Sequence, residues 1–490
     1  MNAKRRQITR ALFLRIPPFF GYVRHHPHDV TLPFTIGSTA TMLQDLGIRV
    51  KVMDVWANGW SMEKTLKGVA RFDPHIIFFD AATGVFPAID EINKNLSAIT
   101  VIFGSVPTNF PEAVSRIDFG LVGECEETAV ELVAALNEGR HLKEIPGLIY
   151  WDEKTARLVK TKERPFIKNL DSLPIIDYAL FDLKRYRKFS FPVPTFSPVR
   201  WGHVLTTRGC PYDCAFCGAD HRQSYGRPLR RASAKRIAGE FEDLAVNHQV
   251  NAISIEDDCF TANRNHVLDI CDEIEKRNLP VKWVAQTRVD LVDRQLMKRM
   301  KAAGCVGLSF GVESGNDRIL GVLRKGVTRA RIEQALQDAA REGLMLRLMF
   351  MIGNPTETEA EIEDTMSLAL SAQAITVQIH YCTPYPGTEF FDAGMDDLGR
   401  GLSFSPYNSI HRNLSLVPGQ KLTELRNRFY HAYYFSWKYF KLFLRQRLLY
   451  MPGQAANDIP LVVRAMLYLL RRGSHGHTTA KGLPLPEKLA

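Results

Sequence analysis

The sequence predicts an α/β protein in three parts. They are a doubly wound, flavodoxin-like parallel sheet of five strands (residues 1–145), a partial (β/α)6 TIM-type barrel (201–395) and a helical, basic-aromatic C-terminal region (396–490). Three observations carry this. Short apolar runs rich in Val, Ile and Phe alternate with helical patterns over residues 8–135, the pattern of strands buried on both faces. The alternation lapses over 146–200, a Pro-punctuated linker, and resumes at 203 for six further strand–helix units. At 490 residues the chain is also too long for one ordinary core.

In the first part "RALFLRI", "RVKVMDV", "HIIFF", "TVIFGS" and "DFGLV" read as strands. Between them "GSTATMLQDLG", "SMEKTLKGVARF", "FPAIDEINKNL" and "FPEAVSRI" read as helices, with "EETAVELVAALNEG" after the last strand. Doubly wound sheets bind ligands beyond the carboxyl ends of their strands. Those ends carry Pro17, Asp54, Ala81, Gly104, Ser105, Gly123 and Glu124. The linker opens with a hairpin, "GLIYWDEKTARLVKT". The barrel strands are "HVLTT", "NAISIED", "VKWVAQT", "VGLSFGV", "MLRLMFMIG" and "ITVQIHYC", with helices near 232–248, 263–277, 293–303, 328–342 and 357–371.

Hydrophobic content of 45% and charged content of 24% are ordinary for a globular chain. The net charge of +10 says only that anions are welcome. Five of the eight cysteines (Cys125, Cys259, Cys271, Cys305 and Cys382) stand singly in apolar settings, as buried reduced thiols do. A cytoplasmic setting follows, and there clustered cysteines more often hold metal. The basic N-terminus has too short an apolar run for a signal peptide, and no run of 18 uncharged apolar residues predicts a membrane span.

The other three cysteines stand together in "TTRGCPYDCAFCGADH", spaced C-x3-C-x2-C at Cys210, Cys214 and Cys217. Two metal readings compete. Structural zinc wants four ligands, and His221 lies four residues past Cys217. An iron–sulfur cube held by three thiolates leaves one iron open to a substrate-like molecule. The position in the loop after the first barrel strand favours the cube, since structural zinc has no need of the catalytic face.

The triplet, with Phe216 before its last cysteine and "TTRG" before its first, resembles the radical S-adenosylmethionine (SAM) superfamily. The resemblance implies that Cys210, Cys214 and Cys217 hold a [4Fe–4S] cluster whose open iron chelates SAM. Cleavage of the sulfonium would then give a 5′-deoxyadenosyl radical. "SIEDDCFT" stands where the family binds the SAM amino group and implicates Glu256, Asp257 and Asp258, carboxylates suited to an ammonium. Gln286 and Arg288 follow the third strand. Glu313 and Ser314 follow the fourth in "FGVESG", which resembles the family's G-x-E-S. "MIGNPTET" resembles its GxPGET, departing at Asn354 and with Thr356 in place of glycine. In "TPYPGTEFF" Gly387 would shape a tight turn.

The front domain and the "LDSLPIIDY" segment resemble the cobalamin-binding branch of that superfamily, so cobalamin is the third expected cofactor. The D-x-H-x-x-G motif is absent, and His25, His26 and His28 in "RHHPHD" do not have its spacing. The branch implies C-methylation of an unactivated carbon or, alternatively, anaerobic ring formation or oxidation. A zinc-stabilised binding protein without redox chemistry is the remaining alternative. Expected partners are a small-molecule or lipid- or pigment-like substrate and an electron donor such as flavodoxin or ferredoxin. Nucleic acid is not expected, because no RNA-binding module is visible. "HAYYFSWKYFKLFLRQRLLY" and "VVRAMLYLLRR" read equally as interfacial membrane helices, peripheral on the inner face, or as helices packed on the barrel. The final "GSHGHTTAKGLPLPEKLA" reads as disordered.

Overall fold

The central strands of the front half form from apolar runs that have no polar face. The computed structural model describes residues 7–17, 30–80, 85–94, 97–153, 155–187, 199–218, 224–385, 387–391 and 412–450. Strand β1 (Arg10–Arg15) is buried from Ala11 through Leu14, so both its faces are covered. There follow α1 (Phe34–Asp45), β2 (Arg49–Asp54), α2 (Val55–Asn58), α3 (Met62–Phe72), β3 (Ile76–Asp80), α4 (Phe86–Asn93), β4 (Ile99–Phe103), α5 (Ser105–Asn109), β5 (Phe119–Leu121) and α6 (Glu126–Glu138). The strands pair in parallel in the order β2-β1-β3-β4-β5, and the order reverses between β1 and β3. Phe13, Phe78 and Val101 pack on one face with Leu43 of α1 and Leu132 of α6. Leu12, Ile77 and Ile102 pack on the other with Val69 of α3 and Ile89 of α4.

Two features depart from expectation. The hairpin assigned to the linker forms β6 (Leu148–Asp152) and β7 (Arg157–Lys160), which extend the front sheet antiparallel to seven strands. Without it β5 would be an open edge. "FPEAVSRI" is not an α-helix but a 3-10 turn at Pro111–Arg116. Helix α5 already makes the crossover there, and Pro111 has no N–H with which to prolong it.

The second sheet begins at β8 (Trp201–Val204), followed by a two-stranded ribbon of β9 (Thr207–Arg208) and β10 (Arg230–Arg231). Then come α7 (Ala234–Val246), β11 (Ala252–Ile255), α8 (Arg264–Lys276), β12 (Lys282–Thr287), α9 (Arg294–Ala302), β13 (Cys305–Glu313), α10 (Asp317–Val322), α11 (Arg329–Arg341), β14 (Met345–Ile352), α12 (Glu359–Ser371) and β15 (Thr376–Tyr381). Six parallel strands run in chain order from β8 to β15, as the sequence predicts. Ser233, Asn263, Asp293, Thr328 and Thr358 cap the helices by accepting from backbone N–H groups. Side chains that join the helix-side core (Ile253, Ala285, Leu308, Leu348, Ile379) alternate with those that face the concave side.

The basic-aromatic run forms α13 (Gly419–Tyr434) and α14 (Trp437–Tyr450), and its tyrosines seal the edge of β15. The Tyr434 hydroxyl accepts from Val377 N at 2.9 Å and donates to Val377 O at 2.8 Å. Tyr430 does the same at Ile379, at 2.8 and 3.3 Å. Tyr433 and Tyr439 donate to the carbonyls of Ala374 and Ile375. These hydroxyls take the place of a further strand. No described helix is long and apolar enough to cross a membrane. "VVRAMLYLLRR" and the terminal segment lie outside the described residues.

Candidate active site

The thiol loop starts from the β9–β10 ribbon. Gly209 turns it at φ +87°, and a Cβ there would lie 2.3 Å from the Pro228 carbonyl oxygen, so only glycine fits. Cys210 N then donates to Gly226 O at 3.2 Å, Ala215 N to Leu323 O at 3.1 Å and Cys217 N to Cys214 O at 3.2 Å. None of the three thiols is in a disulfide; Cys214 is buried and the other two are half-buried. Burial pushes the Cys210 thiol up, and Asp258, Cys217 and Cys214 nearby add to it. Burial raises Cys214 as well, but Lys325 and Arg288 pull it back. Arg288 Nη1 donates to Cys214 Sγ at 3.7 Å while the guanidinium lies 4.0 Å from the Tyr212 ring and is held by Asp290 at 3.0 Å through both Nε and Nη2. Arg288 is itself buried, so its pairing with Asp290 is not a solvated surface contact.

Lys325, only 6% exposed, pairs with Glu313 at 2.9 Å. Two cations thus face one thiol, the compensation that a thiolate–metal site requires. Among the described residues no three Cys, His, Asp or Glu side chains close around a single ion. A cube of several atoms takes ligands set further apart than one ion does, and three thiols on one loop suit it.

The other expected residues divide. Glu256 and Asp258 are partly open at the end of β11, Glu256 held by His203 Nδ1 at 2.8 Å. Asp257 is not beside them: fully buried, it accepts from Thr206 N at 2.6 Å and Thr207 N at 3.1 Å, tying down the start of the thiol loop. Ser314 is likewise buried, against Thr365 Oγ1 at 3.0 Å, and it shapes the turn through Asn316 N. Gln286 is exposed on the concave face. Phe216 packs with Ile319, Leu323, Met351 and Cys382 behind the thiol loop. Thr356 adopts φ +61°, the left-handed region that the family's glycine would take at ease. Gly387 does turn at φ +79°.

At the front sheet Pro17 is buried at the end of β1, and Ser105 opens α5. Gly104 has φ +100° and ψ −153°, a conformation open essentially to glycine alone, and Gly123 has φ +69°. Asp54 caps α2 and accepts from Tyr186 Oη at 2.9 Å. Glu124 does not face a ligand. It is buried and accepts from Arg230, Arg208 and Ile167 N, while Arg208 also reaches Glu126 at 2.6 Å. This network joins the front sheet to the ribbon two residues before Cys210. Ala81, His25, His26, His28 and His221 lie outside the described residues. Sequence reasoning missed Lys325, His203 and Arg230, which no motif marks; Arg208 stood in "TTRGC" without a partner to suggest its role.

A family model described as the radical SAM superfamily matches residues 204–369. An uncharacterised methyltransferase of Pyrococcus horikoshii is 30% identical over 435 residues, covering 86% of this chain and 92% of the relative. The chain belongs to the radical SAM superfamily. Membership makes it an enzyme, and the zinc-stabilised binding protein is thereby set aside. This radical SAM enzyme is also 27% identical over 405 residues to an anaerobic magnesium-protoporphyrin IX monomethyl ester cyclase of Cereibacter sphaeroides, 63% of whose length it spans. Its fold resembles that of the radical SAM methyltransferase TsrM from Kitasatospora setae, solved with cobalamin and a [4Fe–4S] cluster. The TM-score is 0.63 at 19% identity, over 78% of this chain and 74% of that one. It also resembles the cobalamin-dependent radical enzyme OxsB, with a TM-score of 0.62 at 20% identity over 80% of this chain and 55% of that one.

Proposed function

We propose that this enzyme is a cobalamin-dependent radical SAM C-methyltransferase. The observation that carries the reading is the three-thiol loop with Arg288 and Lys325 against Cys214, placed at the carboxyl ends of the barrel strands. Cys210, Cys214 and Cys217 would hold the [4Fe–4S] cluster, which when bound supplies the electron that cleaves SAM to a 5′-deoxyadenosyl radical. Glu256 and Asp258 present carboxylates for the SAM ammonium. Buried Asp257 and the Gly209 turn fix the loop, and Phe216 with its apolar neighbours excludes water behind it. The glycine turns at Gly104 and Gly123 leave the ends of β4 and β5 without a Cβ, the kind of surface against which a large planar cofactor lies. Cobalamin held there by Gly104, Ser105 and Gly123 would supply a methyl carrier. Flavodoxin or ferredoxin would donate the electron.

Support comes from the methyltransferase relative and from the TsrM-like fold. Anaerobic reconstitution tests it: iron, sulfide and corrinoid should all be retained, and turnover should release S-adenosylhomocysteine together with 5′-deoxyadenosine. A second reading, ring formation or oxidation, is favoured by the cyclase relative. It is the one to adopt if 5′-deoxyadenosine forms without S-adenosylhomocysteine.

A further inference from the structure

The first barrel strand, β8, turns His203 to the concave side with Trp201, while Val204 joins the helix-side core. His203 is 0% exposed. Three neighbours fix it. Tyr178 Oη donates to the His203 carbonyl at 3.0 Å, the Tyr186 ring meets the imidazole edge-on with centroids 6.2 Å apart, and Nδ1 lies 2.8 Å from Glu256 Oε1. Tyr186 is itself anchored on Asp54 at 2.9 Å. The other ring nitrogen, Nε2, is buried and meets no hydrogen-bond partner. That pattern assigns the proton. A carboxylate only accepts, so the nitrogen facing it is the donor. A second proton on Nε2, or the opposite tautomer, would bury an N–H with nothing to receive it, which folded proteins avoid more strictly than a bare lone pair. His203 therefore donates from Nδ1 and brings no charge of its own.

We infer that His203 is a positioning residue for SAM: its Nδ1–H fixes the Glu256 carboxylate for the SAM ammonium without cancelling the carboxylate's charge. A lysine or arginine in its place would hold the same oxygen but oppose the incoming cation. Two other carboxylates of the expected set are engaged differently. Glu313 is paired with Lys325 at 2.9 Å, and Asp257 is buried on the Thr206 and Thr207 amides. A carboxylate accepts several bonds at once, so an imidazole donor and an ammonium can share Glu256. The inference rests on the proposed function, in which Glu256 meets that ammonium.

Anaerobic titration of the full, cluster-reconstituted chain with SAM and, separately, with SAM lacking its α-amino group tests it. Wild type should bind SAM the more tightly. His203→Gln, whose amide falls at the place of Nε2, should weaken SAM by about tenfold and leave the desamino analogue within about twofold. His203→Asn, whose amide nitrogen falls at the place of Nδ1, should bring SAM binding back to within about threefold of wild type. In a Glu256→Gln background, His203→Gln should add nothing. Equal SAM binding by wild type and His203→Gln overturns the inference, and so does an Asn variant as weak as the Gln variant. Equal loss of both ligands overturns it too, because a merely structural histidine does not sense the amino group. Reductive 5′-deoxyadenosine release, measured on the same samples, keeps the two ideas apart. Its absence from wild type alongside the expected binding pattern refutes the proposed function, whereas its presence without that pattern refutes the role of His203.

Discussion

Replacing Glu124 with glutamine should loosen the joint between the front sheet and the thiol loop. The Glu124 side chain is 1% exposed and takes Arg230 Nη1 at 2.7 Å on each oxygen, Arg208 Nη1 at 3.1 Å and Ile167 N at 2.6 Å. Arg208 would keep Glu126 at 2.6 Å, so the loss falls chiefly on Arg230, 8% exposed. Arg230 would lose its counter-charge and keep its bonds to the Tyr225 and Pro228 carbonyls, to Ile167 O at 3.0 Å and to the one glutamine oxygen. Stranding a buried charge costs about 3–5 kcal/mol, and the surviving carbonyl bonds place this case at about 3 kcal/mol. That corresponds to roughly a hundredfold in a local opening equilibrium. Hydrogen exchange read by mass spectrometry should therefore speed up by about two decades in peptides covering β5–α6 and β9–β10, and hardly at all over α9–α11. Pairing Glu124→Gln with Arg230→Met should recover most of the protection, because the stranded charge is then gone. Exchange in the single variant within about threefold of wild type would refute the reasoning.

Tyr434→Phe removes a hydroxyl that both accepts from Val377 N and donates to Val377 O. It should cost about 1–3 kcal/mol and deprotect the Val377 amide first, which site-resolved exchange reads directly. Thr356→Gly should raise stability by about 0.5 kcal/mol rather than lower it. It relieves a left-handed β-branched residue and loses only the exposed Arg318 contact, and the urea midpoint checks this. Burial lifts the Glu357 carboxyl from 4.5 to about 7. Its contribution to stability is thus full below about pH 4.5 and lost as pH rises through about 7, at most about 3 kcal/mol. Glu357→Gln should flatten that fall in urea titrations taken from pH 5 to pH 8.

The central front strands β1, β3 and β4 were legible because a strand buried on both faces is an unbroken apolar run, whatever lies around it. β6 and β7 were legible as a hairpin but not as part of the front sheet, since pairing with β5 leaves no mark in either segment. The thiol triplet was legible because its spacing is local. "EDD" at 256–258 was not divisible by eye: period-two alternation sends Asp257 opposite to its neighbours, and Thr206, 51 residues away, claims it. Glu124 misled for a related reason. A carboxylate at a strand end suits a ligand, but its guanidinium partners are 84 and 106 residues distant. The aromatic tail left two readings open because sequence shows amphipathic character and not what covers it; in the structure the hydroxyls of Tyr430, Tyr434 and Tyr439 pack on β15.

The claim on which the account turns is that three thiols hold a cluster with one iron left for SAM. Electron paramagnetic resonance of the reduced, reconstituted protein, recorded with and without SAM, addresses it most directly. The account predicts a [4Fe–4S]+ signal whose g-values shift when SAM is added, and no such cluster in Cys214→Ala. A spectrum indifferent to SAM, or a cluster that survives loss of Cys214 unchanged, would contradict it.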